Sequence, residues 1–335
     1  MKALTVVLGL TLALILTLAA FGLPIGASLK LLAEGAVMDP QGWSRTLVKM
    51  TPLLLAGLGM VVAWRAGMYN IGGEGQFIVG ALVGAWVAKL FVGSVPGGVL
   101  NPLILAGSVL GGALYAAIAG WLQVARGVQC VISTILLNFV AIQMLGWAVS
   151  GPLRRTDGTL PQTQPLPESS MLLRFDRQLD VHTGVLYALL ASVVVTLYLY
   201  GTKGGFRLRI TGANASAARA NRIPASRVAI LSMAFSGALC GLAGGVEYTG
   251  ITGILGLGFP QGWGFLAIPV ALLGGLHPLG VVLSALYFGA LFAGSENLAR
   301  FNTGGSTLVY VIQAVAVLAI VGLQQVHFRR RKVAA

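Results

Sequence analysis

The chain has 335 residues, of which 56% are hydrophobic and only 9% are charged, and its net charge is +13. Soluble domains carry about 25% charged residues, so this composition and a mean hydropathy of +0.86 exclude an ordinary soluble protein. The sequence predicts an all-α polytopic membrane protein that forms a single transmembrane domain over residues 1–335.

The basic residues cluster in the segments that connect apolar runs. Such clusters mark the cytoplasmic face of a membrane protein, and they explain the high net charge better than a nucleic-acid partner does. We therefore expect both termini to be cytoplasmic and residues 324–335 to form a basic tail. The residues that we assign to this face are Lys2, Arg65, Arg126, the basic residues of 203–227, and residues 329–332.

The apolar runs set the number of predicted membrane helices. A helix needs roughly 20 residues to cross the hydrocarbon core, and the first run, 3–23, is long enough to be a signal anchor rather than a cleaved signal peptide. Region 263–298 is broken at 274–280, and two crossings there keep the terminal basic tail inside. We therefore predict about ten membrane segments, or eight or nine if some are re-entrant. The other predicted helices cover 47–64, 77–91, 100–124, 131–149, 182–200, 228–246 and 306–323.

Residues 67–76 interrupt an apolar sequence with four glycines, an acid and two amides. Unsatisfied polar groups are costly in lipid, so this break must face protein or water. Glu74, Glu247 and Glu296 are the acids in or beside apolar runs; each is a candidate for function, but each is also explained as a cap or as an interfacial acid. Our hypothesis is that Asn70, Glu74, Gln76 and Glu247 line or shape a solute pathway.

Two longer polar segments have different charge patterns. Residues 150–181 hold balanced charges and several prolines, which predicts an irregular external loop. Residues 201–227 are basic and contain no acid, which predicts a cytoplasmic docking loop. Within that loop, a short helix should begin near Asn214, run over 215–220 and stop before Pro224.

Motifs of enzymes and metal sites are missing from the sequence. The chain has no phosphate-binding loop of the G-x-x-x-x-G-K-[ST] type, no H-E-x-x-H and no G-x-S-x-G. The two cysteines, Cys130 and Cys240, lie in or beside apolar runs, where a free thiol behaves as a small hydrophobe. We predict that the chain itself binds no cofactor or metal and is not an enzyme.

Two stretches resemble the permease subunits of ATP-binding-cassette (ABC) importers in the branched-chain amino acid and ribose permease superfamily. Residues 69–81 are similar to the family signature Asn-Ile-Gly-x-Glu-Gly-Gln, in the branch associated with nucleosides and with lipoprotein receptors of the basic membrane protein type. The second stretch, 207–223 followed by 236–244, is similar to the cytoplasmic segment of the family and the helix after it. The residues of 207–223 that carry the resemblance are Arg207, Arg209, Gly212, Asn214, Ala217, Ala218, Arg222 and Ile223.

The resemblance implies that the chain is a transport subunit of a type II-like importer with several subunits, in a bacterial plasma (inner) membrane. In such an importer the 207–224 segment, together with Arg219, would dock on a separate ATPase that binds ATP and Mg²⁺. A second related permease, in a heterodimer, and a substrate-binding lipoprotein receptor would complete it. Two positions depart from the family pattern: Arg222 stands where glycine is usual, and Ala213 where glutamate is frequent. A permease for a sugar or another small solute, an ion-coupled secondary transporter and an assembly protein without transport activity remain the alternatives.

Overall fold

The computed structural model describes residues 2–176, 178–301, 310–312, 314, 315 and 318. Within these residues the fold is helical, with turns of π-helix at Glu34–Met38 and Tyr248–Thr252, a 3-10 turn at Glu168–Ser170 and two isolated β-bridges. The α-helices of the described residues are α1 (Lys2–Ala20), α2 (Ile25–Ala33), α3 (Pro40–Arg65), α4 (Gly73–Phe91), α5 (Gly97–Arg126), α6 (Cys130–Ser150), α7 (Gly184–Gly201), α8 (Lys203–Ala213), α9 (Ala215–Ala220), α10 (Ala225–Glu247), α11 (Trp263–Leu273) and α12 (Pro278–Arg300).

Seven helices in the described part of the chain are long and apolar enough to cross a membrane, namely α3, α4, α5, α6, α7, α10 with its π-turn, and α12. The chain is therefore a multi-pass membrane protein, as its composition predicts. Two shorter apolar helical stretches accompany them, Thr11–Ala20 within α1 and the whole of α11. Most of the helix predicted over 306–323 lies outside the described residues.

Two helix starts differ from the prediction by four residues or more. Helix α3, predicted to begin at residue 47, begins at Pro40 because Asp39 caps it. The Asp39 carboxylate accepts a hydrogen bond from the Gly42 amide, and proline is well suited to a first helical position. Helix α4, predicted to begin at residue 77, begins at Gly73. Part of the predicted glycine-rich break is therefore the first turn of α4.

Contacts between Cα atoms divide the chain into two units, residues 1–50, 178–180 and 286–335, and residues 51–177 and 181–285. In the larger unit, α4, α5 and α10 pack through glycines. A Cβ atom on Gly112 of α5 would overlap the backbone of Gly237 and Gly241 in α10, and one on Gly80 of α4 would overlap Gly241. The backbones of these helices therefore touch, which is the small-residue packing used in membrane helices.

In the smaller unit, α2 and the beginning of α3 contact the end of α12. Asn297 donates a side-chain hydrogen bond to the Leu31 carbonyl at 2.8 Å, and the Lys49 ammonium lies 2.5 Å from the Glu296 carboxylate. Glu296, one of the three acids considered as functional candidates, is thus half of an ion pair.

The predicted irregular loop is confirmed between Gly151 and Thr183. It is anchored on the segment after α10: Thr163 and Leu255 exchange two hydrogen bonds, at 2.9 and 3.0 Å, and Gln162 forms a bridge with Gly256. On its exposed side, a hydrogen bond from the Arg155 side chain lowers the pKa of Asp157. The described residues of this loop are therefore ordered by a few hydrogen bonds and contain no helix other than the 3-10 turn at Glu168–Ser170.

Candidate functional site

The turn between α3 and α4, together with the first turn of α4, carries three of the four predicted pathway residues. Helix α3 ends in a Schellman motif, in which Gly67 is left-handed (φ 78°), the Met68 amide donates to the Ala63 carbonyl and the Gly67 amide donates to the Trp64 carbonyl. The chain then passes through Asn70 and enters α4 at Gly73. The motif satisfies the last carbonyls of α3 and lets the backbone reverse.

Asn70 and Gln76 form a reciprocal amide pair across this turn. Asn70 Nδ2 donates to Gln76 Oε1 at 2.9 Å, and Gln76 Nε2 donates to Asn70 Oδ1 at 3.0 Å. Asn70 also donates to the Ser236 hydroxyl of α10 and accepts from the Gly72 amide. Both amides are buried, at 0% and 2% exposure. The pair therefore ties the turn to the start of α4 and to α10.

Helix α6 completes this polar cluster from the other side. Asn138 Oδ1 accepts from the Gly75 amide at 2.8 Å, and Asn138 Nδ2 donates to the Ile71 carbonyl at 3.0 Å. The Thr134 hydroxyl accepts from the Ile71 amide. Asn138 thus joins α6 to α4 and to the turn before it. The backbone groups that the turn leaves without helical partners are thus satisfied by side chains.

Glu74, in the first turn of α4, binds the beginning of α11. Its Oε1 accepts from the Gly262 amide at 3.0 Å and its Oε2 accepts from the Gly264 amide at 2.7 Å. A helix N-terminus has amides without intrahelical partners and a partial positive charge, and both favour a carboxylate. Glu74 is 1% exposed. It therefore caps a helix that lies far from it in sequence.

Glu247 lies elsewhere. It is the last residue of α10, 5% exposed, and the π-turn at Tyr248–Thr252 follows it. The structure thus gathers Asn70, Glu74 and Gln76 around the start of α4, and it leaves the proposed role of all four residues in a solute pathway as a prediction.

The predicted docking loop folds as two helices, where the sequence predicted one. Helix α9, at Ala215–Ala220, is the predicted short helix, and Asn214 caps it by accepting hydrogen bonds from the amides of Ser216 and Ala217. Helix α8 was not predicted. It buries Gly205, Leu208 and Thr211. Helices shorter than about 12 residues depend on such tertiary packing, so sequence patterns show them poorly.

The docking residues fall into an exposed set and a buried set. Ala218 is buried, and a Cβ atom on Gly212 would overlap the backbone of Arg65 and Ala66. Arg209 is half-buried, and its guanidinium lies 5.1 Å from the centre of the Tyr200 ring. These contacts of Ala218, Gly212 and Arg209 therefore fix α8 and α9 to the protein. The exposed members of the docking set are Arg207, Gly212, Asn214, Ala217, Arg219 and Arg222.

Arg222 occupies a position that favours glycine. It is left-handed (φ 57°) and follows α9 in a Schellman motif, since the Ile223 amide donates to the Ala218 carbonyl and the Arg222 amide donates to the Arg219 carbonyl. A residue with a Cβ atom is strained in this conformation. The departure from the family pattern at this position is therefore a backbone feature as well as a change of charge.

Several residues of these sites were missed by sequence reasoning. Ser236, Thr134, Gly262 and Gly264 are small residues in apolar or glycine-rich surroundings, and no local pattern distinguishes them. Both cysteines are buried free thiols, as predicted. Among the described residues, no group of three His, Cys, Asp or Glu side chains could hold a metal ion.

Comparisons with known proteins place the chain among transport proteins. Residues 42–321 match the family described as "Branched-chain amino acid transport system / permease component". The chain is 33% identical over 302 residues to the glucose ABC transporter permease protein of Haloferax volcanii, covering 87% of this chain and 78% of the relative. It is 33% identical over 287 residues to the guanosine ABC transporter permease protein NupP of Bacillus subtilis, covering 84% and 82%. It is 30% identical over 270 residues to the nucleoside ABC transporter permease protein NupB of Lactococcus lactis, covering 76% and 72%.

Proposed function

The chain belongs to the family of branched-chain amino acid transport system / permease components, and from this premise we propose that it forms the solute pathway of an ABC importer for a nucleoside. The choice of a nucleoside as the solute is supported by the similarity to guanosine and nucleoside permeases over about four-fifths of the chain. A nucleoside is uncharged and hydrogen-bonds through many groups, so a pathway for it is expected to be lined by amides and hydroxyls.

A sugar is the second candidate. The glucose permease of Haloferax volcanii is as similar to this chain as the guanosine permease is. Sugars present hydroxyls to the same kinds of amide and hydroxyl groups but lack a base that stacks on aromatic rings. The two candidates therefore differ in a measurable way, and direct competition between the two solutes separates them.

The proposed importer places this chain among several partners in a bacterial inner membrane. Seven spans, the two short apolar stretches and the predicted helix at 306–323 would give ten membrane segments, with both termini, the 201–227 docking segment and the 324–335 tail in the cytoplasm and the 150–181 loop outside. The docking segment would bind an ATPase subunit that carries ATP and Mg²⁺. A second related permease would complete the pore, and a lipoprotein receptor would deliver the solute.

The proposed mechanism is alternating access driven from the docking segment. When the ATPase closes on nucleotide, it moves α8 and α9, and these tilt α7 and α10, to which they are directly joined in sequence. A receptor bound outside biases the same equilibrium, because a pore that opened without solute would leak. Asn70, Glu74, Gln76 and Glu247 are buried in this structure. Their proposed role is therefore to shape the pathway by holding helix ends.

An ion-coupled transporter is less well supported. Such a protein needs titratable groups that are free to exchange protons or bind ions within the membrane. Glu74 is engaged by two backbone amides, and Glu296 is paired with Lys49. Two of the three candidate acids thus make structural contacts and are not free to bind a proton or an ion. This favours an energy source on another subunit.

Co-purification tests the ATPase partner. We would express the chain with its genomic neighbours and compare wild type with the double variant Arg219→Glu, Arg222→Glu. Arg219 and Arg222 are exposed, and Arg219 makes only a local hydrogen bond to Ser216, so the variant should fold and release the ATPase. The control is Arg154→Glu in the external loop, an exposed arginine with a local hydrogen bond to the Thr159 carbonyl, and it should keep the ATPase. Equal ATPase recovery with all three proteins would refute docking at this segment.

Uptake tests the solute. Proteoliposomes are prepared with the co-purified complex, its receptor, and ATP in the lumen on the side of the ATPase. Radiolabelled guanosine is then added outside, with an excess of unlabelled guanosine or glucose as competitor. We expect guanosine to suppress uptake and glucose to leave it unchanged. Suppression by glucose, or ATP-driven uptake of glucose alone, would assign the permease to sugars.

A further inference from the structure

The docking helix α8 contacts the ends of two other helices at one place, which we name the α8–α11 junction. Its members come from four different parts of the chain within the larger unit. They are Arg65 at the end of α3, Tyr200 at the end of α7, Arg209 and Gly212 on α8, and Leu276 and His277 after α11.

The first part of the junction is a close backbone contact. A Cβ atom on Gly212 would lie 2.8 Å from the Ala66 carbonyl carbon, and one on Gly67 would lie 3.3 Å from the Gly212 Cα. No side chain separates these backbones, so α8 cannot move toward the end of α3 without moving it. The docking helix and the beginning of the Asn70 turn are therefore in direct mechanical contact.

The second part of the junction is a hydrogen bond that joins the end of α3, which contacts α8, to the end of α11. Arg65 Nε donates to the Leu276 carbonyl at 2.9 Å. Helix α11 ends there in a Schellman motif, with Gly275 (φ 65°) and Leu276 (φ 53°) both left-handed. The hydrogen bond thus holds a fixed, tightly turned helix end, not a flexible loop.

Aromatic contacts reinforce the same connection. The ring of Tyr200 stacks on His277, with centroids 5.2 Å apart and planes inclined by 25°, and the Arg209 guanidinium lies 5.1 Å from the same Tyr200 ring. Arg209 Nε is buried, and among the described residues it has no hydrogen-bond partner. Arg209 is therefore held by its contact with the ring, which links α8 to the segment after α11.

The other end of α11 is fixed by Glu74. Its carboxylate holds the amides of Gly262 and Gly264, so α11, about 16 Å long at 1.5 Å per residue, is bound at both ends. One end touches the docking helix through the junction, and the other touches the first turn of α4 beside the Asn70–Gln76 pair. Pro269 lies inside α11 and removes one of its internal hydrogen bonds, but the helix is continuous from Trp263 to Leu273. A continuous helix held at both ends transmits displacement from one end to the other.

We propose that α11 transmits movement of the docking helix α8 to the buried Glu74 carboxylate. Arg65 is the positioning residue at the cytoplasmic end of α11. The inference rests on the proposed importer function, and it adds a route to the tilting of α7 and α10. Movement of α8 would displace the end of α11 through Arg65 and the Tyr200–His277 stack, and would thereby change the position of Glu74 relative to α10.

The test measures coupling in the complete complex of this chain, its ATPase, its companion permease and its receptor in proteoliposomes. The readout is radiolabelled guanosine taken up per ATP hydrolysed. Arg65→Met removes the hydrogen bond to Leu276 and keeps the length of the side chain. We expect the ATPase to remain bound and active while uptake per ATP falls at least fivefold. Arg65→Lys, which can still donate to the carbonyl, should restore at least half of the wild-type ratio.

The matched control is Arg126→Met, because Arg126 also ends a long membrane helix but is exposed. It should leave uptake per ATP unchanged. Tyr200→Leu gives a second test if Arg65→Met does not assemble: removal of the ring contacts should lower the same ratio without releasing the ATPase.

Two results would overturn the proposal. One is an unchanged ratio in Arg65→Met or, if that variant does not assemble, in Tyr200→Leu; the other is a fall in ratio that Arg126→Met reproduces. A complex in which even the wild-type chain retains no ATPase would instead refute the proposed function, so the two failures are distinguishable.

Discussion

The side-chain amides of Asn70 and Gln76 hydrogen-bond to each other twice, at 2.9 and 3.0 Å, in a fully buried position. An amide has both donors and acceptors, so only another amide in the right orientation satisfies it in this reciprocal way. The pair closes the turn that joins α3 to α4, and the Ser236 hydroxyl ties it to α10.

Gln76→Leu should destabilise the protein. It keeps a similar side-chain volume but leaves the Asn70 amide with unsatisfied groups, which costs about 1–3 kcal/mol. The effect should be smaller in the Asn70→Leu background, where the pair is already lost, and thermal unfolding in detergent would measure this coupling through a double-mutant cycle. Gln143→Leu is the control, because Gln143 is an exposed amide of α6. Strictly additive losses from the two substitutions would contradict the pairing.

Glu74→Gln should reduce uptake strongly while the complex still assembles. A glutamine has one acceptor oxygen, so it can serve only one of the amides of Gly262 and Gly264, and its NH2 group would face the other donor. Loss of the carboxylate also removes its favourable interaction with the helix N-terminus, which is worth about 0.3–1 kcal/mol and up to ~2 when partly buried. Proteoliposome uptake, normalised to complex recovered, is the measurement. Uptake equal to wild type would exclude a role for the carboxylate.

Gly112→Ala should destabilise the packing of α5 on α10. The added Cβ would meet Gly241 Cα at 2.7 Å and its amide nitrogen at 2.9 Å, and backbone atoms cannot rotate away. We expect a loss of about 1–3 kcal/mol, as for other overpacked sites, and a lower melting temperature in detergent. Gly98→Ala in the same helix is the control, because a Cβ atom there has no neighbour within 4 Å. Equal melting temperatures for the two variants would rule out the close contact.

Arg222→Gly should stabilise the end of α9. Glycine adopts the left-handed conformation without a clash, whereas a residue with a Cβ atom loses about 1 kcal/mol or more there. Because about 1 kcal/mol corresponds to a factor of about five, hydrogen exchange at the Ile223 amide should slow by about fivefold. Arg219→Gly, inside the helix, should speed it. The same slowing in Arg222→Ala would show that backbone strain is not the cause.

Local patterns predicted the parts of this protein whose structure depends on local chemistry. Helix α9 was predicted to the residue because Asn214 at its start and the Ile223–Pro224 pair after its end act within a few residues. Asp39 followed by Pro40 is a similar local pattern that indicates a helix start, whereas apolar runs by themselves indicate only the lipid-crossing part of the helix. Helix α8 contains three glycines and owes its helical form to burial of Leu208 and its neighbours, and sequence patterns do not record such burial.

Sequence by itself determined that this chain is embedded in a membrane, where its apolar helices fall, and which segments carry uncompensated positive charge. These properties are sums over neighbouring residues, because transfer into lipid depends on composition and charge within each segment. Only the tertiary structure decided that Glu74 caps α11, whose amides are 188 and 190 residues away, and that Arg65 holds the other end of the same helix. A carboxylate satisfies any helix N-terminus that comes within hydrogen-bond distance, and that distance is set by the packing of the whole chain.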